Sequence, residues 1–306
     1  RTYSVAVATV LLVRHGRTTA NSSGVLAGWT EGIGLDDTGR AQAEALGKRL
    51  AEVPLAGVVT SPLQRCVETT DSVVAGRDTP VVVDEGVGEC HYGAWTGRPL
   101  KDLAKEDLWR TVQHRPSAAT FPASDDFRHE SIAQMQLRAV ETMRRHDERF
   151  AAEVGPHAVW ALVSHGDVIK SILADCLGEH LDQFQRITVG PASLSAVRLG
   201  PGRPFVLRIN DTGSDPSDLV PAPQEEASSD AAVGGGATAQ GGAALGTATA
   251  TPRPRSGLGS RRSIASAHER AKRSSPRVAR ADRTKNGRMN SACAMAENWA
   301  SRAASE

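Results

Sequence analysis

Short apolar runs alternate with stretches of helical periodicity from residue 9 to about residue 210 of this 306-residue chain. Runs of this length that are rich in Val and Leu are typical of strands buried on both faces. Their alternation with helices predicts an α/β fold, a three-layer α/β/α sandwich with a mostly parallel central sheet. The predicted strands are residues 9–14, 57–60, 81–84, 159–164, 193–199 and 205–210.

Helical periodicity between these strands predicts four main helices, and polar residues mark where they begin. At Ser61-Pro62, a capping residue precedes the residue that is favoured at the first helical position. A helix that begins there has Arg65 in its first turn. The other three helices are predicted at about residues 40–52, with Asp37 and Thr38 as candidate caps, 130–153 and 168–177.

Residues 100–128 interrupt the alternation with a polar, proline-containing and weakly periodic stretch. We expect a small helical cap insertion over the sheet, because insertions of this kind often shape a substrate pocket. A plain surface excursion is the alternative. The candidates to line such a pocket are Trp109, His114, Arg115 and Phe121.

The composition changes after about residue 215. Residues 221–252 are nearly all Ala, Gly, Ser, Thr and Pro, which cannot bury enough apolar area to offset the entropy of ordering. Residues 1–252 carry 23 Lys and Arg against 31 Asp and Glu, whereas residues 253–288 carry 12 against 2. We expect one domain over residues 1–218 and a disordered, low-complexity and basic tail over residues 219–306. The basic segment fits a nucleic acid or another acidic partner, a solvated tail, or the translation of a shifted reading frame.

Four cysteines, Cys66, Cys90, Cys176 and Cys293, are too few and too irregularly spaced for a disulfide framework. No run of apolar residues approaches the roughly 18 that a membrane-spanning helix needs. We therefore expect a cytoplasmic protein without a membrane partner, and no nucleic acid partner outside the basic tail.

Two histidines each follow a predicted strand and precede a glycine, His15 in Arg-His-Gly and His165 in Ser-His-Gly-Asp. Neighbouring parallel strands end at the same edge of a sheet, so both histidines can belong to one site. A phosphate monoester carries about −1.5 to −2 charges near pH 7, and neutral imidazole attacks it without adding negative charge. His15 is therefore the candidate nucleophile. His165, at the start of a predicted helix, would stabilise the transferring group if protonated.

Two arginines and an acid complete the chemistry that phosphoryl transfer requires. Arg14 and Arg65 can each bind phosphoryl oxygens through two parallel N–H bonds. A leaving alkoxide needs a proton, and Glu89, in a glycine-rich loop after the third strand, is the candidate general acid. Asp84 and Glu85 compete with it. We expect neither a metal nor a cofactor, because no acidic pair has obvious metal-ligand spacing and the arginines supply the positive charge.

Five motifs occur in the order and at the spacing of a known family: LVRHGRTTAN, LDDTGRAQAEALGKRL, TSPLQRCVETT, GECHYGAWTG and VSHGD. Over about residues 9–210 the chain resembles the histidine phosphatase superfamily, which contains the cofactor-dependent phosphoglycerate mutases and their phosphatase relatives. The resemblance implies a transient phosphohistidine at His15 and a proton donor at Glu89. The phosphate-binding residues that it implies are Arg14, Asn21, Arg65 and His165.

Two residues depart from the family pattern. Arg17 stands where relatives usually carry Glu or Gln, which leaves the charge at the pocket mouth open. Ala27 stands where a small hydroxyl residue is frequent, so we expect one phosphate contact fewer.

The sequence favours a phosphatase over a mutase. Mutases typically carry a longer insertion after the acid, whereas here 76 residues separate Glu89 from His165 and a GxWxG pattern follows the acid. We expect a metal-independent phosphomonoester hydrolase that acts on a small phosphorylated metabolite. The alternatives are phosphoglycerate mutase-like transfer, which must exclude water, and non-catalytic binding of phosphorylated ligands. The physiological ester and the oligomeric state stay open.

Overall fold

Six strands form one sheet in the computed structural model, which describes residues 8–200, 202–213 and 233–235. The strands are β1 (Thr9–Arg14), β2 (Leu55–Thr60), β3 (Val81–Val83), β4 (Val159–Ser164), β5 (Leu194–Arg198) and β6 (Phe205–Asp211). Their order across the sheet is β3-β2-β4-β1-β5-β6. Strands β1 to β4 are parallel, whereas β5 runs antiparallel to both β1 and β6. The prediction of a mostly parallel sheet is confirmed.

Helices connect the strands in the part of the chain that the structure describes. They are α1 (Thr19–Ser23), α2 (Asp37–Arg49), α3 (Gln64–Val74), α4 (Leu100–Leu103), α5 (Asp107–His114), α6 (Ile132–Val154) and α7 (Gly166–Leu177). Short 3₁₀ segments cover Glu85–Val87, Gly93–Trp95, Pro116–Ala118, Leu181–Arg186 and Val233–Gly235. The stretch predicted as a small helical insertion thus contains α4, α5 and one 3₁₀ segment.

Successive residues of the central strands point to opposite faces of the sheet, and both faces are buried. Leu11 and Val13 of β1 pack in one cluster with apolar residues of α2 and α3. Val10 and Leu12 pack in a second cluster with residues of α6 and α7. Because helices cover both faces, the strands are apolar throughout rather than alternating. This arrangement confirms the three-layer α/β/α sandwich.

The predicted start of α2 near residue 40, with Asp37 or Thr38 as the cap, was wrong by one turn. Helix α2 begins at Asp37, because the residue before it provides the cap. The Asp36 carboxylate accepts the N–H of Gly39 at 2.7 Å, which satisfies one of the free donors of the first turn.

The predicted start of α3 at Ser61-Pro62 was also wrong. Helix α3 begins at Gln64, and Leu63 occupies its N-cap without a side-chain hydrogen bond. The Ser61 hydroxyl accepts the N–H of Leu63 at 3.3 Å and also lies 2.8 Å from a ring nitrogen of His165. Arg65 lies in the first turn, as predicted.

The aromatic residues that were expected to line a pocket are part of the core instead. Phe121 packs edge-on against Tyr92, with ring centroids 4.9 Å apart, and Trp109 lies 6.2 Å from Trp95. His114 and Arg115, the other two candidates, are exposed. The insertion therefore supports the loop that follows Glu89 mainly through buried aromatic contacts.

The predicted tail, residues 219–306, falls outside the described residues except for Val233–Gly235, so its disorder and the boundary at residue 218 stay predictions. Cys293 also falls outside them. Within the described ranges, no helix has the length and apolar character needed to cross a bilayer.

Candidate active site

Strand pairing brings the two predicted histidines together. Strands β1 and β4 pair in parallel with Arg14 opposite Ser164, so the next residue of each strand reaches the same edge of the sheet. The ring centroids of His15 and His165 are 5.2 Å apart, and their planes make an angle of 60°. Both side chains are buried, with 2% and 0% of their surface exposed. A phosphoryl group in contact with one ring would therefore lie close to the other.

A backbone carbonyl fixes the tautomer of His15. Its Nδ1 lies 2.7 Å from the carbonyl oxygen of Gly16. Because a carbonyl only accepts, Nδ1 carries the proton and Nε2 keeps its lone pair. Burial, followed by the charges of Arg65 and Arg14, lowers the pKa of His15 well below its ordinary value. The neutral imidazole is thus favoured, with its lone pair on Nε2.

Gly16 is required by a close approach of the backbone. A Cβ at this position would lie 2.5 Å from the carbonyl oxygen of Gly39 in α2. The loop after His15 therefore packs directly on the first turn of α2, and no larger residue fits there.

Both predicted arginines are buried at this edge. Arg14 Nη1 donates to the carbonyl oxygen of Val189 at 2.6 Å, and Arg65 Nη2 donates to that of Gly28 at 2.9 Å. Arg65 Nη1 is buried and has no hydrogen-bond partner among the described residues. Burying an N–H donor without an acceptor is unfavourable, and a bound anion would accept this hydrogen bond. A guanidinium can donate two parallel N–H bonds, which suits a phosphate. Burial lowers the pKa of Arg14 to about 10, which leaves it positive at neutral pH.

Glu89 lies beside His165 and is 2% exposed. Its Oε2 is 3.7 Å from His165 Nδ1, and its Oε1 accepts the N–H of Cys90 at 2.9 Å. Burial, followed by the negative charge of Asp167, raises the pKa of Glu89 to about 7. A carboxyl group with this pKa is partly protonated at neutral pH, as a general acid requires.

The two acids that competed with Glu89 are engaged elsewhere. The Asp84 carboxylate lies 2.6 Å from Arg145 Nη2 and 2.8 Å from His146 Nε2. The Glu85 side chain is 72% exposed and faces Arg128. Across the residues that the structure describes, no group of three His, Cys, Asp or Glu side chains is arranged to hold a metal ion.

Arg138 of α6 holds the loop that carries Glu89, and sequence reasoning missed it. Its guanidinium donates to the carbonyl oxygens of Gly86, Gly88 and Glu89 at 2.8–3.0 Å. It also pairs with Glu130 at 2.7 Å. No local motif marks Arg138, because its role depends on contacts with residues about fifty positions away in the chain.

Asn21 and Arg17 have partners close to the site. Asn21 is buried, and its Oδ1 accepts both the N–H and the O–H of Thr18 at 3.1 and 3.0 Å. Its amide group NH₂ is the part that can donate to a phosphate. Arg17 Nε lies 2.8 Å from Asp36 Oδ2, and Nη2 donates to Thr38. Arg17, which departs from the family pattern, therefore connects the loop after His15 to the start of α2.

A buried polar cluster next to Glu89 also escaped the sequence analysis. The Tyr92 hydroxyl donates to Asp167 Oδ2 at 2.9 Å, and Lys170 Nζ lies 3.6 Å from Asp167 Oδ1. The N–H of Gly234 donates to the same Oδ2 at 3.0 Å, and Val233 is buried. Residues beyond β6 thus contact the carboxylate whose charge acts on Glu89.

Replacing Gly234 by Val is expected to release this contact. Gly234 has a φ of 64°, and a Cβ there would overlap with Leu26 Cδ1, so Val is both strained and too large. Hydrogen–deuterium exchange over residues 233–235 should become faster. The control is Gly202→Val, where an added Cβ meets nothing within 4 Å. If residues 233–235 exchanged equally fast in the wild type and in Gly234→Val, the contact between Gly234 and Asp167 would be contradicted.

The sandwich places two buried histidines after neighbouring parallel strands, at the edge where open α/β sheets bind their ligands. The family model of the histidine phosphatase superfamily, branch 1, matches residues 10–212. The chain belongs to this superfamily.

The superfamily relatives of the chain include both mutases and phosphatases. It is 29% identical over 189 residues to 2,3-bisphosphoglycerate-dependent phosphoglycerate mutase 2 of Gloeobacter violaceus, covering 60% of this chain and 82% of the relative. It is 36% identical over 96 residues to adenosylcobalamin/alpha-ribazole phosphatase of Salmonella typhimurium, covering 31% and 47%. The solved structure of Bacillus stearothermophilus YhfR is 28% identical and matches with a TM-score of 0.59, covering 67% of this chain and 97% of that one.

Proposed function

We propose that this chain is a metal-independent phosphomonoester hydrolase that acts through a phosphohistidine on a small phosphorylated metabolite. The observation that carries the proposal is the state of His15, a buried neutral imidazole whose Nδ1–H is held by Gly16 and whose Nε2 is available to attack. The imidazole of His165 and the guanidinium of Arg65 lie at the same sheet edge.

In the first step, His15 Nε2 attacks phosphorus in line, and the bond from phosphorus to the ester oxygen breaks. Glu89 gives its proton to that oxygen, which leaves as an alcohol. In the second step, the Glu89 carboxylate takes a proton from water, and the resulting hydroxide attacks phosphorus. The P–N bond breaks, inorganic phosphate leaves, and both side chains return to their starting states.

The remaining residues bind the phosphoryl group. Arg14 and Arg65 neutralise its charge and stabilise the additional charge that develops on its oxygens in the transition state. His165 and the amide of Asn21 donate further hydrogen bonds. Fixed positive charges of this kind do the electrostatic work that a metal ion does in other phosphatases.

Phosphate release across a panel of small phosphate esters, with EDTA present, tests the proposal. We expect release of inorganic phosphate that survives EDTA, and ³²P label on one histidine after rapid quenching into alkali. Strict dependence on added Mg²⁺, or turnover without labelled histidine, would contradict it. Binding of esters without any turnover would support the non-catalytic alternative.

Phosphoglycerate mutase-like transfer is the second candidate, because the Gloeobacter violaceus mutase is among the relatives. The phosphatase relative and the GxWxG loop after Glu89 favour hydrolysis. The discriminating assay is conversion of 3-phosphoglycerate to 2-phosphoglycerate with and without 2,3-bisphosphoglycerate. We expect phosphate release to exceed this conversion.

Glu89→Gln is expected to slow hydrolysis of alkyl phosphates by about 10²- to 10⁴-fold, because the amide cannot supply a proton. The kcat/KM for p-nitrophenyl phosphate should fall much less, since p-nitrophenolate leaves without a proton. Its kcat should fall as well, because the variant also lacks the base that activates water in the second step. The pKa of Glu89 is raised to about 7, so the acid form predominates below this pH and is lost above it. The kcat/KM of the wild type for alkyl phosphates should therefore fall as pH rises through about 7. An equal loss of kcat/KM for both ester types would argue against Glu89 as the acid.

The cysteines support a reducing compartment. Cys66, Cys90 and Cys176 are all buried free thiols. Since oxidising compartments favour disulfides, we assign the protein to the cytoplasm. Cell fractionation tests this assignment, and recovery from an oxidising compartment would contradict it.

A further inference from the structure

We propose that Ser61 is a positioning residue that holds His165 in the neutral Nδ1–H tautomer, so that both histidines of the site carry the proton at Nδ1 but present different ring nitrogens to the phosphoryl group. His15 then offers a lone pair at Nε2 to phosphorus, while His165 offers an N–H to a phosphoryl oxygen. The presence of the proton on His165 Nδ1 is inferred from the hydrogen bonds of the resting protein. The role of that N–H in binding a phosphoryl oxygen rests on the proposed function.

The Ser61 hydroxyl is fixed between two partners. Ser61 is fully buried at the end of β2, where its own N–H donates to the carbonyl oxygen of Val163 at 3.0 Å. Its Oγ accepts the N–H of Leu63 at 3.3 Å and lies 2.8 Å from His165 Nε2. The contact with Leu63 uses one of the two lone pairs of the hydroxyl, so its proton is available for the short contact with Nε2. Ser61 can therefore donate to Nε2, and the surroundings of Nδ1, the other ring nitrogen, set this direction.

The other ring nitrogen of His165, Nδ1, lies on the side of Glu89, the proposed general acid. His165 Nδ1 lies 3.7 Å from Glu89 Oε2, and the ring centroid is 5.2 Å from that of His15. Phosphoryl oxygens only accept hydrogen bonds, so a lone pair on Nδ1 would repel the group that the site binds. A neutral ring that accepts at Nε2 has its proton at Nδ1, which is the favourable arrangement.

The thiol of Cys66 does not replace Ser61 in this role. Its Sγ lies 3.5 Å from His165 Nε2, but its S–H donates to the carbonyl oxygen of Ser164, also at 3.5 Å. A thiol is a weak donor, and the serine contact is much shorter. Cys66 packs against the ring edge and limits its rotation.

A charged His165 is disfavoured in the resting protein. Burial, followed by the charges of Arg65 and of neighbouring groups, lowers the pKa of His165 well below its ordinary value. A protonated His165, the form that would stabilise the transferring group by its charge, is therefore not the resting form. In the neutral tautomer it can still donate one hydrogen bond, with the arginines supplying the positive charge.

Nitrogen-15 NMR of the full chain with labelled histidine tests the inference without requiring activity. We expect the resonances of His165, assigned by comparison with His165→Gln, to show a protonated Nδ1 and an unprotonated Nε2. Those of His15 should also show a protonated Nδ1, with Nε2 becoming the phosphorylated atom during turnover. A proton on His165 Nε2 in the wild-type protein would overturn the inference, whatever the outcome of the phosphatase assays.

Two substitutions add a kinetic test. Ser61→Ala removes the donor and should lower kcat by about 10- to 100-fold with a smaller change in KM, as loss of an orienting partner does at comparable sites. The Nδ1–H signal of His165 should weaken in parallel, and Ser61→Thr, which keeps a hydroxyl, should restore both. The control is Ser171→Ala, another buried serine, whose Oγ donates to Val168 within α7. If Ser61→Ala matches the control in kcat and tautomer, Ser61 does not position the ring.

Discussion

His15→Asn is expected to abolish phosphate release, with a loss on the order of 10⁴-fold or more, because the only atom that attacks phosphorus in the proposed mechanism is removed. The Asn amide can still donate to the Gly16 carbonyl oxygen in place of Nδ1, so the loop should keep its conformation. Affinity for inorganic phosphate should change little, since Arg14 and Arg65 stay in place. Release of phosphate and isothermal titration with phosphate measure the two effects separately.

The matched control for this substitution is His157→Asn. His157 is exposed and precedes β4, at the opposite end of that strand from His165. We expect this variant to keep wild-type turnover. Phosphate release by His15→Asn within about tenfold of wild type would contradict nucleophilic catalysis by His15, because the loss of an activated nucleophile has far larger effects.

Arg65→Lys is expected to lower kcat/KM by about 100-fold or more, the size of effect seen when one preorganised donor to a transition state is lost. Lysine keeps the positive charge but cannot donate two parallel N–H bonds to a phosphoryl group. It also cannot both hold the Gly28 carbonyl oxygen, as Arg65 Nη2 does at 2.9 Å, and reach the substrate in the same geometry. Steady-state kinetics with one alkyl phosphate measures the loss.

Arg144→Lys is the control for this exchange. Arg144 lies on the exposed face of α6 and pairs with Asp175 at 3.0 Å. An exposed pair of this kind contributes little, so activity and stability should stay close to wild type. If Arg65→Lys and Arg144→Lys had similar activities, charge alone would explain the contribution of Arg65, and the bidentate geometry would be refuted.

The sheet could be predicted from the sequence because its strands are short, apolar and separated by clear helical patterns. The predicted 9–14 and 159–164 match β1 and β4 residue for residue. Since those two strands end just before His15 and His165, predicting them also predicted that the histidines share one edge of the sheet. Helix starts were less accurate, because a polar residue near a helix has several possible partners.

Ser61 and Arg138 show why other parts of the site could not be predicted. Ser61 resembles a helix cap in sequence, yet its hydroxyl contacts His165, more than a hundred positions away. Arg138 resembles any exposed arginine on an amphipathic helix, but it donates to three carbonyl groups of the Glu89 loop. Periodicity and local motifs carry no information on such distant pairs.

The pairing of β1 with β4 sets the distance between His15 and His165. Arg14 is opposite Ser164, and a slip of two residues would keep the same faces buried while moving one histidine by about 7 Å along the sheet. Such a displacement exceeds the present 5.2 Å between the rings. The distance between the two rings is thus fixed by main-chain hydrogen bonds between two buried central strands. Substitutions that weaken the hydrogen bonds between β1 and β4 should therefore lower turnover even where the protein still folds.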